Sequence, residues 1–116
     1  MQETLLKPLR VAFVSTYPPR RCGIATFTYD LASTISHLQG ELPGTDEAVQ
    51  VIALTNVPQG YNYGEEVRFE IQTEHRMDYR EAAYFLNFSA ADVVCLQHEF
   101  GIFGGDDGTY VLDLLA

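Results

Sequence analysis

The chain has 116 residues, enough for one domain. Hydrophobic residues make up 47% and charged residues 20%, a balance that excludes intrinsic disorder, and no apolar run reaches the roughly 20 residues of a membrane span. A formal net charge of −9 repels nucleic-acid phosphates and anionic bilayers, so neither is an expected partner.

The first ten residues lack the apolar core of a signal peptide, which makes the cytosol the expected compartment. The two cysteines agree with that: Cys22 falls in a turn and Cys95 in a strand pattern, which is neither a disulfide framework nor a zinc site. Cys22 is either a small residue that fits a tight turn or a reactive thiol. Lys7, Arg10, Arg20 and Arg21 are four of the seven basic residues, and all precede the first helix pattern. Unless their clustering is chance, a positive patch on an acidic body suits a small anionic ligand.

Val11 to Val14 is apolar throughout, as in a strand covered on both faces. Pro18 and Pro19 end it, since neither can donate a sheet hydrogen bond. Ile24, Phe27, Leu31, Ile35 and Leu38 follow at spacings of three and four, predicting a helix with one apolar stripe that stops at Gly40 and Pro43. Val49 to Leu54 reads as a second buried strand. The polar stretch TNVPQGYNYGEE is a loop with turns at Gly60 and Gly64. Val67 to Ile71 is a third strand, with Arg68 and Glu70 outward. Asp78 and Glu81 have N-cap and N3 spacing, predicting a helix that buries Tyr79, Ala82, Ala83 and Leu86. Asp92 to Leu96 is the fourth strand, QHEFGIFGGDDG a flexible glycine-rich loop, and TYVLDLLA the start of another helix.

Strands alternating with helices predict an α/β fold, a Rossmann-like three-layer sandwich with a mostly parallel sheet. With right-handed crossovers and strand order 3-2-1-4, the first and fourth strands are neighbours and the ligand crevice lies between their carboxyl ends. The turn at Arg20, Arg21, Cys22 and Gly23 and the loop at Gln97, His98 and Glu99 then converge. An open-edged parallel sheet is a poor stopping point, so residues 1–116 read as the front part of a larger protein.

Two segments carry chemistry. A strand that turns at a glycine into a helix presents unpaired N–H groups and the positive end of a helix dipole to an anion. Arg20 and Arg21 add full charges there. The alternative is an ordinary β–α connection with a solvated arginine pair. His98 stands just past a strand, where it can bond a sugar hydroxyl or phosphate, or move a proton; otherwise it is a loop residue. His37 reads as the exposed side of a helix and His75 as polar loop. Tyr61 and Tyr63 could stack on a sugar ring. Asp106 and Asp107 could hold Mg²⁺ but read better as solvated acids. The dinucleotide fingerprint, the P-loop and the hydrolase nucleophile elbow are all missing. A response-regulator-like domain would place acids at the strand ends, where this chain has Ser15, Thr16 and Tyr17.

RVAFVSTYPPRRCGIATFTYDLA, followed much later by ADVVCLQHEFGIFGG, resembles the N-terminal domain of the retaining GT-B-fold glycosyltransferases of family 4. The resemblance covers nearly the whole chain. It implies two Rossmann-like domains across a cleft, this one on the acceptor side and the C-terminal nucleotide-sugar domain, with its paired glutamates, lying outside these residues. The partners it implies are a nucleotide-sugar donor and a sugar or lipid-linked acceptor, with no metal or other cofactor required. Gly23 would let backbone amides approach the donor diphosphate or the acceptor, and His98 would contact the transferred sugar. Arg20, Arg21, Cys22, Gln97 and Glu99 would line the substrate. Many members have two adjacent glycines where this chain has Cys22-Gly23. The implied activity is hexosyl transfer with retention, and the 116 residues alone should not perform it. The alternative is a non-catalytic α/β module that binds a phosphorylated or sugar ligand.

Overall fold

The computed structural model describes residues 9–39, 49–97 and 101–115. In chain order the elements are β1 (Val11–Ser15), α1 (Gly23–Gln39), β2 (Val49–Thr55), β3 (Val67–Gln72), α2 (Arg76–Phe88), β4 (Val93–Leu96) and α3 (Val111–Leu115), with a 3-10 turn at Asp106–Gly108 before α3. The strands form one sheet in the order β3-β2-β1-β4. Every pairing is parallel. This is the expected Rossmann-like α/β arrangement, and it puts β1 beside β4.

Side-chain alternation along the strands divides the core in two. Val11, Phe13, Val51 and Ala53 face α1, where they meet Ala32, Leu31 and Ile35. Val14, Ile52, Leu54 and Ile71 face α2 and α3, where they meet Tyr79, Ala82, Val111 and Leu114. β1 and β2 are buried over nearly their whole length, which is why they read as unbroken apolar runs. β4 lies at the edge, with Val93 and Val94 exposed. Among the described residues, no helix is long and apolar enough to cross a membrane.

Two local expectations need correction. In α1 the predicted Ile24, Leu31 and Ile35 pack against the core, but the most buried residues are Ala25, Thr28 and Ala32, and Phe27 and Leu38 are 57% and 68% exposed. Close approach of a helix to a sheet selects small side chains at the line of contact. The Thr28 hydroxyl lies 2.9 Å from that of Ser15, a buried pair that fixes the helix against β1. In α2 the N-cap position is His75, three residues ahead of the expected Asp78. Asp78 sits inside the first turn, and its carboxylate reaches back to accept the Gln72 N–H at 2.9 Å. The predicted stripe of α2 holds: Tyr79 and Ala82 are buried, and Ala83 and Leu86 pack against them. Gly40 and Pro43, the expected stop of α1, lie outside the described residues.

Candidate functional site

The turn after β1 is built by short hydrogen bonds. The Arg20 N–H donates to the Tyr17 carbonyl at 3.1 Å. The Arg20 side chain then crosses to the end of β2, where Nη1 donates to the Leu54 carbonyl at 3.3 Å. Arg20 is half-buried, Arg21 exposed. Cys22 is the residue before α1. Its Sγ lies 3.0 Å from the Thr16 hydroxyl and accepts the Ala25 N–H at 3.4 Å, while its carbonyl accepts the Thr26 N–H. The thiol therefore acts as a weak N-cap. The N–H groups of Gly23 and Ile24 have no partner among the described residues. A Cβ at Gly23 would meet nothing within 4 Å, and its φ is not in the left-handed region. The fold itself thus makes no demand for glycine at this position.

The end of β4 lies beside that turn. The Gln97 N–H donates to the Val14 carbonyl at 3.0 Å, extending the β1–β4 ladder to the carboxyl edge. Gln97 is half-buried. His98 and Glu99 follow directly and lie outside the described residues.

The glycine-rich loop departs from its expected flexibility where it is described. Ile102 and Phe103 are each only 5% exposed and belong to the core under α2 and α3. Gly104 donates its N–H to the Tyr79 hydroxyl at 3.0 Å, and that hydroxyl donates to the Thr73 carbonyl at 2.8 Å. A Cβ on Gly104 would overlap the Thr73 carbonyl oxygen. The close backbone approach at this glycine is made to the protein's own β3–α2 connection. Asp106 and Asp107 are exposed in the 3-10 turn.

Above the ends of β2 and β3 the surface opens into a cleft of about 700 Å³. Arg20 and Gly101 reach it from the two expected segments. Thr55, Asn56, Gln72, Glu74 and His75 are among the other residues of its lining. These last residues were not singled out from the sequence as site residues. His75 Nδ1 lies 2.6 Å from Asp78 Oδ1, and the other oxygen of Asp78 is the one that holds the Gln72 amide. A histidine followed three residues later by an aspartate at a helix start was the available signal.

Tyr61 and Tyr63 turn their hydroxyls onto the protein. Tyr61 donates to Asn56 Oδ1 at 2.6 Å, and Tyr63 pairs with the Thr55 hydroxyl at 2.7 Å. Burial raises the Tyr63 phenol, with the Thr55 bond opposing. Tyr17 donates to Glu66 Oε2 at 2.7 Å; burial first, and then Glu66, push its phenol well above the ordinary range. A second cavity, of about 390 Å³, lies beside Tyr17, Tyr29, Glu66 and the exposed His37 on the α1 side of the sheet.

Chemically, the carboxyl edge offers two unpaired amides, an arginine without a carboxylate partner among the described residues, and a carboxylate-held imidazole. That set suits binding of a hydroxylated anion. No family model, curated protein or solved structure matched the chain.

Proposed function

We propose that the chain is the acceptor-side domain of a retaining GT-B-fold glycosyltransferase of family 4, moving a sugar from a nucleotide-sugar to an acceptor. One observation carries the reading: the β1–α1 turn, whose Gly23 and Ile24 amides have no partner among the described residues, adjoins the end of β4 at the switch point of a parallel sheet. Ligands of open α/β sheets bind at that position. The two segments on which the sequence resemblance rests are the two that flank it.

In this reading, charge grows on the leaving diphosphate while the transferred sugar becomes oxocarbenium-like. Helix N-terminal amides and arginine stabilise that charge without moving a proton. The leaving phosphate itself accepts the proton of the acceptor hydroxyl on the same face, so no carboxylate nucleophile is required. Gly23 leaves room for the approach, and His98, following Gln97, contacts the transferred sugar.

The test is sugar transfer by this domain joined to its donor-binding partner. His98→Ala should lower kcat by about 100-fold with the fold intact. An unchanged rate makes His98 an ordinary loop residue and removes the catalytic reading.

A further inference from the structure

The glycosyl-transfer reading leaves the His75–Asp78 pair without a role. Both oxygens of Asp78 are engaged, Oδ1 by the imidazole at 2.6 Å and Oδ2 by the Gln72 N–H at 2.9 Å. A carboxylate can only accept, so Nδ1 carries a proton and the ring is held in one orientation, with Nε2 left to bond a ligand hydroxyl. The ring is 65% exposed and lines the cleft above β2 and β3. Arg20 lines the same cleft. Its guanidinium is half-buried, gives one bond to the Leu54 carbonyl, and has no carboxylate partner among the described residues. Among the described residues, then, Arg20 stands without a paired carboxylate in a protein of net charge −9. Glu74 lines the same cleft, with its Oε1 accepting the Gly105 N–H at 3.2 Å, and makes no ion pair with Arg20 among the described residues.

We propose that this cleft binds a phosphorylated sugar or polyol, with Arg20 taking the phosphate and His75 Nε2 bonding a hydroxyl of the same molecule. A neutral sugar brings no anion to Arg20, and free phosphate brings no sugar hydroxyl to His75. The cleft, at about 700 Å³, has room for a hexose phosphate. That this ligand is the acceptor of sugar transfer rests on the proposed function; that it binds does not.

The experiment is a calorimetric or amide-NMR titration of the 116-residue chain with hexose 1-phosphates, hexose 6-phosphates and inositol phosphate. Each is run beside its unphosphorylated parent, with inorganic phosphate and a hexuronate as further controls. At least one sugar phosphate should bind about tenfold or more tightly than its parent sugar, inorganic phosphate and the uronate. Arg20→Gln should erase the advantage over the parent sugar. His75→Phe should weaken sugar-phosphate binding about tenfold and leave inorganic phosphate unchanged. Should Arg20→Gln disturb the turn, Asn56→Asp at the exposed rim should weaken sugar phosphates by repulsion without touching the core. The proposal is overturned by no binding from any sugar phosphate, by equal binding of the uronate, or by binding that none of these substitutions alters. Because no donor is present, the outcome is separate from catalysis. Sugar-phosphate binding without sugar transfer would remove only the glycosyltransferase reading, and transfer to a neutral acceptor without sugar-phosphate binding would remove only this site.

Discussion

The hydroxyl of Tyr79 joins three parts of the molecule: its own helix α2, the Thr73 carbonyl after β3 and the Gly104 amide of the loop after β4. The ring is fully buried, so both bonds form away from water. Tyr79→Phe keeps the packing and strands a buried donor and a buried acceptor. It should cost about 1–3 kcal/mol in chemical denaturation, with the far-UV spectrum unchanged. A loss below about 0.3 kcal/mol would mean that water replaces the hydroxyl. Residues of this kind were only partly legible in the sequence. Tyr79 is recognisable as core from its spacing, but its polar role depends on a loop 25 residues away. Arg20 stood out in the sequence as a charge beside a glycine turn after a strand, and the structure places it in the lining of the cleft. His75 did not, because its meaning comes from Asp78 folding back across the first turn of α2.

At the scale of elements, apolar periodicity located α1 and α2 well but left the orientation of α1 open. Of the large residues at 24, 27, 31, 35 and 38, Ile24, Leu31 and Ile35 pack against the core, yet the smaller Ala25, Thr28 and Ala32 are the most buried, and Phe27 and Leu38 turn outward. Size decided the matter, because a helix packed over β1 needs small residues where it comes closest. The consequence is an asymmetry between neighbours. Phe27→Ala should change stability by no more than about 0.5 kcal/mol. Ala25→Leu should cost about 1–3 kcal/mol by overpacking a position of zero exposure. Thermal melts of the two variants check this, and a larger loss for Phe27→Ala would place the stripe as the periodicity alone suggests.

For the molecule as a whole, strand order was legible because unbroken apolar runs, turn residues and alternating helices leave few right-handed parallel arrangements. The sheet brings tyrosines into its core from both faces, and this sets an alkaline limit. Burial is the leading cause that raises the phenols of Tyr17, Tyr63 and Tyr79. Each folded-state value lies above the unfolded one, so the folded protein holds these protons more tightly. Their contribution is fully present below about pH 10 and declines as pH rises further. Monitored by tyrosinate absorbance and circular dichroism together, these three of the seven tyrosines should ionise only as the fold is lost. Titration of all seven near pH 10 with the fold intact would contradict that.

Gly23 gives the most direct measurement. The fold leaves open space around it and does not ask for a left-handed backbone. Replacing it with alanine at the start of α1 should therefore leave stability unchanged or raise it by about 0.5–1 kcal/mol. If the glycine is there so that a ligand can reach the helix amides, the same substitution should lower sugar transfer by this domain, joined to a donor-binding domain as the proposed function requires, about tenfold or more. Stability and transfer measured on Gly23→Ala thus test the central claim together: an intact fold with depressed transfer is the expected result, and an intact fold with full transfer would contradict it.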